Sequence, residues 1–194
     1  MNWANVVTFG RIALVPVFVA LMVAGARDSG SGAPQAAPWL AILVFVVASL
    51  TDSLDGYLAR RSNRVTRLGI FMDPLADKLL VGAALAVLVA LRGFPLWAAV
   101  IIAVREIAVS LLRSAALRRG RSMPASRFGK LKTAVQLPMV VAWLLPRSAP
   151  GWGPMAVVQD VALVAAVAFT ILSGAQYFLR TRELLAPRTD LPTG

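Results

Sequence analysis

The sequence predicts an all-α integral membrane protein with six transmembrane helices, and three observations support this fold class. First, 58% of the 194 residues are hydrophobic and only 15% are charged, whereas soluble domains contain about 45–50% apolar and about 25% charged residues. Second, the mean hydropathy is +0.73. Third, long apolar segments alternate with short basic ones. We therefore expect a single membrane domain over residues 1–194.

The six apolar segments are each about as long as a bilayer crossing, which needs roughly 20 residues. They cover about 5–25, 38–59, 68–91, 95–117, 130–147 and 155–179. The first segment has no charged leader, contains Arg11, and reaches Arg27-Asp28 without a convincing cleavage site. We therefore interpret it as a retained helix, which can begin with a short interfacial one, and not as a signal peptide.

The distribution of lysine and arginine predicts the orientation. Basic residues cluster after the second segment, after the fourth and in the C-terminal tail, whereas the other connections each hold one arginine. Positive charge marks the cytoplasmic side, so we expect both termini and both basic loops there, in a multi-pass plasma-membrane protein. The Gly/Ser/Pro-rich stretch 25–37 fits an external loop.

Composition also limits the chemistry. The chain contains no cysteine and no histidine, so it offers no thiolate nucleophile and a zinc site is improbable. The formal net charge is +11. Because the basic residues lie between apolar segments, we expect anionic lipid or an anionic substrate as the partner, and no nucleic acid.

Four aspartates stand close together near the predicted cytoplasmic ends of the second and third segments. Asp52 and Asp55 are three residues apart, and Asp73 and Asp77 are four apart, so each pair shares a helical face. Four carboxylates at membrane depth repel one another. Either some are protonated, or divalent cations neutralise them. Oxygen ligands suit Mg²⁺ or Mn²⁺, and four carboxylates can hold two such ions about 3.5–4 Å apart.

Small residues accompany these acids. Gly56 and Ala59 share the face of the first pair, and Gly69 lies four residues before Asp73. An isolated glycine indicates helix packing. Three small residues in register with four acids favour a pocket for nucleotide phosphates.

The whole segment resembles the signature of the CDP-alcohol phosphotransferases. It reads Asp52-Ser-Leu-Asp55-Gly56-Tyr-Leu-Ala59-Arg60, then Gly69, Asp73 and Asp77 at fixed spacings. The resemblance implies that Asp52 and Asp73 bridge two metal ions and that Asp55 binds one. It implies that Asp77 binds the other ion and acts as general base. It also implies a homodimer, and CDP-diacylglycerol contacts by Asn5, Thr8, Gly56, Ala59, Arg60, Thr66 and Gly69.

A second group of residues is similar to that of the family branch using glycerol 3-phosphate, the phosphatidylglycerophosphate synthases. Arg105 and Arg113 share a helical face in the fourth segment, and Lys130 and Lys132 open the fifth. Arg105 can instead simply pair with Glu106 or with an acid of the motif. An acceptor phosphate, however, needs such cationic donors. The resemblance therefore implies transfer of a phosphatidyl group from CDP-diacylglycerol to glycerol 3-phosphate near the cytoplasmic face, releasing CMP.

Other functions remain open at this stage. A sister enzyme acting as cardiolipin synthase or phosphatidylinositol phosphate synthase has the same acidic motif, and the second also needs a phosphate site. A cation transporter explains the acids, but it does not explain the small residues in register or the grouped arginines. The role of Asp160 in the sixth segment is not evident from the sequence.

Overall fold

The described residues form six α-helices and no strand. The computed structural model describes residues 3–27, 36–62, 67–118, 127–146 and 153–185, excluding the side chains at 3–6, 52–62, 67–71, 73, 74, 127, 128, 130 and 181–185. The helices are α1 (Trp3–Arg27), α2 (Ala36–Ser62), α3 (Arg67–Arg92), α4 (Leu96–Arg118), α5 (Arg127–Leu144) and α6 (Met155–Leu185).

The all-helical prediction is confirmed, and each predicted apolar segment lies on its own helix. The approximate boundaries differ from the observed ones by up to six residues, most at the end of α6, which reaches Leu185 instead of 179. Residues 25–27 and 36–37 are helical, so the external loop expected over 25–37 is shorter, because the apolar helices continue through those positions. The fifth helix ends at Leu144 instead of 147, just before Pro146, which cannot donate a backbone hydrogen bond.

Two described helices are long and apolar enough to cross a bilayer by themselves, Val7–Arg27 and Met155–Arg180. Two more apolar stretches, Ala36–Thr51 and Leu131–Leu144, are shorter. Charged residues on α2 to α5 lower the mean hydropathy of these helices and shorten their apolar stretches. The number of spans and their orientation therefore stay predictions.

Helix α1 packs against both α2 and α3. At the end of α1, Gly25 faces Pro38 of α2 so closely that an added Cβ would lie 2.5 Å from the proline Cγ. Nearer the middle, the rings of Phe18 and Phe45 are 5.7 Å apart. Glycine here lets the backbones of α1 and α2 approach closely. Nearer the middle of the helices, the aromatic pair packs between them.

The turn between α3 and α4 is set by Gly93, which has a φ of 69°. In this left-handed conformation, which glycine adopts readily, the amide of the next residue, Phe94, donates to the carbonyl of Leu88 at 3.1 Å and closes the end of α3. Phe94 then packs edge-on against Trp143 of α5, with ring centroids 4.9 Å apart. The turn thereby fixes α3 against α5.

A glutamine completes the C-terminus of α5. The side-chain amide of Gln159, on α6, donates to the carbonyls of Ala142 and Leu145 at 2.9 and 3.1 Å. The indole of Trp143 donates in return to the Gln159 carbonyl at 2.9 Å. Carbonyls that the end of a helix leaves unpaired are thus satisfied by the neighbouring helix.

The surface of the bundle is apolar, while several polar side chains face inward. Large hydrophobic residues such as Leu96, Leu111 and Val164 are each at least 65% exposed. Thr8, Arg11, Lys132, Gln136 and Thr170 are buried. A protein in water would not expose apolar surface on this scale, so the chain is a membrane protein whose polar groups line its interior.

Candidate active site

The four aspartates of the motif lie on two helices that pack against each other, α2 and α3. Asp52 and Asp55 are in the second half of α2, and Asp73 and Asp77 are in the first half of α3. The side chains of the first three lie outside the described residues. Asp77 is exposed and takes part in an interaction within the protein.

These positions fit a divalent metal site. Both helices continue without interruption through the acidic pairs, so each pair lies on one side of its helix. The donors are carboxylate oxygens, which hard cations such as Mg²⁺ prefer. Among the side chains that the structure describes, no cluster of three metal-binding residues is present, because three of the four aspartates are not among them.

Helix α1 contributes Thr8 to the same end of the bundle. Thr8 lies 17 residues before Gly25, and Asp55 lies 17 after Pro38, the residue that Gly25 faces. Because α1 and α2 are antiparallel neighbours, this register brings Thr8 level with Asp55. Thr8 is only 4% exposed, so its hydroxyl points into the protein.

The other residues expected to contact the nucleotide are placed only by their backbone. Asn5 is on α1, Gly56, Ala59 and Arg60 are on α2, and Gly69 is on α3, with side chains outside the described set. Thr66 lies outside the described residues altogether. Lys130 is on α5, and its side chain is likewise not described.

A group of four charged side chains and one tyrosine, from three helices, lies beside the acidic helices. We call it the cationic cluster, and it comprises Arg105, Glu106 and Arg113 of α4, Lys132 of α5 and Tyr177 of α6. Glu106 Oε1 forms an ion pair with Lys132 Nζ and lies 3.5 Å from Arg105 Nη1. The sequence left open whether Arg105 pairs with Glu106 or binds a phosphate. The geometry shows that one carboxylate serves two cations, so positive charge remains in excess.

Tyr177 is the member of this cluster that sequence reasoning missed. Its hydroxyl accepts a hydrogen bond from Arg113 Nη2 at 2.8 Å. The guanidinium carbons of Arg105 and Arg113 lie 5.8 and 5.7 Å from its ring centroid. Gly174, one turn earlier on α6, brings that helix close to the Arg105 side chain. A tyrosine three residues after a glycine is a weak signal, and only the packing of α6 on α4 reveals its role.

The cationic cluster interacts electrostatically with an aspartate of the acidic helices. The charge on Lys132 interacts with those of both Arg105 and Asp77. The Lys132 side chain is 7% exposed, so other charges act on it through little water. The residue expected to act as general base therefore interacts electrostatically with one of the residues expected to bind the acceptor's phosphate.

Several buried polar atoms near this cluster have no hydrogen-bond partner among the described residues. They include Arg105 Nε, Gln136 Oε1 and Thr170 Oγ1. Gln136 is one turn along α5 from Lys132, on the same face. Thr170 lies level with Lys132, because the two are equally far from the paired Trp143 and Gln159 in the antiparallel helices α5 and α6. Unpaired buried groups are costly, so this interior suits a polar, hydroxyl-bearing ligand.

A bundle of six helices with paired aspartates on two of them and a cationic cluster beside them matches one known family. The sequence model of the CDP-alcohol phosphatidyltransferases covers residues 1–172, and the chain belongs to this family of membrane-embedded lipid-synthesis enzymes. Members of the family generally use divalent metal ions, in agreement with the oxygen donors on α2 and α3.

Individual relatives are similar over nearly the whole chain. A CDP-diacylglycerol–glycerol-3-phosphate 3-phosphatidyltransferase of Bacillus subtilis is 41% identical over 192 residues, covering 95% of this chain and 97% of its own. A probable phosphatidylglycerophosphate synthase of Mycobacterium tuberculosis is 41% identical, covering 92% and 81%. A CDP-diacylglycerol–glycerol-3-phosphate 3-phosphatidyltransferase of Rickettsia typhi is 35% identical, covering 91% and 95%.

Proposed function

We propose that this chain transfers the phosphatidyl group from CDP-diacylglycerol to glycerol 3-phosphate, giving phosphatidylglycerol phosphate and CMP. One observation carries the choice of acceptor. A cationic cluster with more positive than negative groups includes Lys132, whose charge interacts with that of Asp77. An acceptor bearing a phosphate fits such a cluster, whereas an uncharged alcohol would leave its cations uncompensated. The names of the similar proteins support the same acceptor.

In this proposal, the donor CDP-diacylglycerol binds at the acidic helices α2 and α3. Its acyl chains extend along the apolar surface of the bundle, and its cytidine diphosphate lies over α2 and α3, near Thr8 of α1. Gly56, Ala59 and Gly69 leave room for the diphosphate, and Arg60 and Thr66 contact the nucleotide. Two divalent ions, Mg²⁺ or Mn²⁺, held by Asp52, Asp55, Asp73 and Asp77, supply charge neutralisation of the diphosphate when bound.

The acceptor, glycerol 3-phosphate, binds at the cationic cluster in this proposal. Arg105, Arg113, Lys130 and Lys132 bind its phosphate, and Tyr177 fixes the Arg113 guanidinium through the hydrogen bond at 2.8 Å. The buried oxygens of Gln136 and Thr170 are available to its hydroxyls. Held at one end by its phosphate, the acceptor presents its terminal hydroxyl towards Asp77, so that orientation lowers the barrier.

The chemical step exchanges one phosphorus–oxygen bond for another. Asp77 takes the proton of the terminal hydroxyl. The oxygen attacks the phosphorus that carries diacylglycerol, in line with the bond to CMP. That bond breaks, and CMP leaves with the bonding electrons. Transfer is direct in this scheme, with no phosphorylated protein side chain.

The proposal includes six spans, cytoplasmic termini, an active site near the cytoplasmic face of the plasma membrane and a homodimer. The absence of cysteine in the sequence makes the topology simple to test. Single variants Ser29→Cys and Ser122→Cys lie in the loops predicted outside and inside. A membrane-impermeant thiol reagent applied to intact cells should label the first and spare the second. Labelling of Ser122→Cys alone would show that the orientation is the reverse of the proposed one.

Chemical cross-linking in detergent at low protein concentration should yield a dimer, and a strictly monomeric protein would contradict that part of the proposal.

An acceptor screen tests the reaction. Purified protein in detergent with CDP-diacylglycerol and Mg²⁺ should release CMP with glycerol 3-phosphate. It should not do so with inositol phosphate, inositol or phosphatidylglycerol. Chelation should stop the reaction, and adding Mg²⁺ or Mn²⁺ back should restore it. Activity restricted to inositol phosphate or to phosphatidylglycerol would overturn the acceptor assignment.

A further inference from the structure

Glu106 is a carboxylate that the reaction scheme above does not use. Its side chain is 20% exposed and lies on α4, between two cations of the cationic cluster. Within the described residues, α4 and α5 do not pack against each other directly. The ion pair of Glu106 with Lys132 therefore joins two helices that their backbones leave apart.

Lys132 has two acidic neighbours. Glu106 pairs with it directly, and Asp77 interacts with its charge. Lysine has a flexible four-carbon stem and a compact ammonium group. A nearly buried ammonium needs an opposite charge. Without Glu106, the carboxylate that still interacts with its charge in the described structure is Asp77, the proposed base and metal ligand.

Arg105 depends on the same carboxylate. Its Nη1 atom lies 3.5 Å from Glu106 Oε1, and its Nε is buried without a hydrogen-bond partner in the described part of the chain. Glu106 thus lies beside one edge of the guanidinium while another donor remains unused. A guanidinium oriented in this way can offer that donor to an anion.

We propose that Glu106 is a positioning residue: its carboxylate holds the Lys132 ammonium beside Arg105, in competition with Asp77, so that both cations bind the acceptor's phosphate. The inference rests on the proposed function and adds a residue with no direct contact to either substrate. Glu106 has two consequences. It sets the affinity for the acceptor, and it limits the interaction of Lys132 with Asp77, the proposed metal ligand and base.

The test measures kinetics with each substrate varied separately. Glu106→Gln keeps the shape and removes the charge. It should raise KM for glycerol 3-phosphate about 10- to 100-fold, lower kcat, and raise the Mg²⁺ concentration needed for half-maximal activity, while KM for CDP-diacylglycerol stays within about twofold. Glu106→Asp keeps the charge and should recover most of the acceptor affinity. Asp160→Asn, the same change of charge on α6 far from the cluster, is the matched control and should leave all constants unchanged.

A double variant covers the case in which Glu106→Gln does not fold because Lys132 is left unpaired. Glu106→Gln with Lys132→Met removes both charges together. If Glu106 acts through Lys132, the double variant should match Lys132→Met in kcat and in the Mg²⁺ requirement. Its KM for glycerol 3-phosphate should be at most a few-fold higher, through the loss of the contact with Arg105. A further loss of tenfold or more in kcat would show that Glu106 acts independently of Lys132, and would overturn the proposal.

Two other results are informative. If the wild type uses glycerol 3-phosphate but Glu106→Gln changes both KM values and kcat alike, or changes only the yield of folded protein, Glu106 is structural and this inference fails while the proposed function stands. If the wild type shows no CMP release that depends on glycerol 3-phosphate, the proposed function fails and the inference fails with it.

Discussion

The two ends of the helical bundle bury polar groups in opposite ways. At the end with the Gly93 turn, the hydrogen bonds between buried side chains and the backbone join neutral groups, although Arg92 is partly buried there and Gln159 Oε1 has no hydrogen-bond partner among the described residues. The amide hydrogens of Gln159 satisfy two carbonyls of the α5 terminus, and the indole of Trp143 is also bonded. At the other end, charged groups predominate, and Arg105 Nε is buried without a hydrogen-bond partner among the described residues.

This difference separates stability from function. Neutral groups that bond to each other stabilise a fold without requiring a ligand. Charges and donors that the protein does not satisfy by itself are costly, and they persist where a substrate compensates them. The comparison predicts that substitutions at the Gly93 end change stability, whereas substitutions at the charged end change catalysis at nearly constant stability.

The largest expected effect is at Asp77. Asp77→Asn removes the proposed base and a metal ligand, and we expect the rate of CMP release to fall by about 10²–10⁴-fold. The thermal midpoint in detergent should hardly change, because Asp77 is exposed. Asp160→Asn serves as the matched control. Full activity of Asp77→Asn would break the comparison, since the charged end would then be dispensable.

A smaller effect is expected at Tyr177. Tyr177→Phe keeps the ring and removes the hydroxyl that accepts the hydrogen bond from Arg113. A hydrogen bond to a charged group is worth about 1.5–3 kcal/mol, and the loss of orientation should raise KM for glycerol 3-phosphate by about tenfold. Trp143→Phe removes a hydrogen bond at the opposite end and should leave this KM unchanged. Equal KM values for both variants would contradict the division of roles.

The next prediction concerns packing at the Gly93 end, where α1 meets α2. Gly25→Ala places a methyl group 2.5 Å from Pro38 Cγ, which forces the helices apart and should cost about 1–3 kcal/mol of stability. Gly82→Ala is the matched control on α3, where an added Cβ meets nothing within 4 Å. It should stabilise the helix by about 0.5–1 kcal/mol. Thermal unfolding in detergent measures both, and destabilisation by the two variants alike would refute the close approach.

The smallest effect is expected at Gln159. Gln159→Leu removes two hydrogen bonds to the α5 terminus. Hydrogen bonds between membrane helices contribute about 0.6 kcal/mol each on average, so a loss of about 1 kcal/mol should appear in unfolding experiments. KM and kcat of the folded fraction should stay at wild-type values. A change in acceptor KM would mean that the two ends are coupled.

The sequence was sufficient to predict the helices and their order, because each apolar segment is long and bounded by charges or by Gly and Pro. It also placed the paired aspartates on adjacent helices, through their spacing. It did not predict Tyr177, because its role depends on how α6 packs against α4, a contact 64 residues apart in the chain. The role of Gln159 as a cap for α5 is equally non-local.

The partner of Arg105 shows the same limit. Sequence spacing placed Arg105 and Arg113 on one face, but could not decide between an ion pair and a ligand. The answer requires Lys132, which approaches Glu106 from a helix that α4 does not pack against. Long flexible side chains can meet across such a gap, and no local pattern reports it.

The central claim is tested most directly by identifying the lipid product. Purified protein should convert CDP-diacylglycerol and glycerol 3-phosphate into phosphatidylglycerol phosphate, detected by mass spectrometry, with one CMP released per lipid formed. Formation of CMP with phosphatidic acid as the lipid product, or of a lipid bearing any other headgroup, would contradict the account.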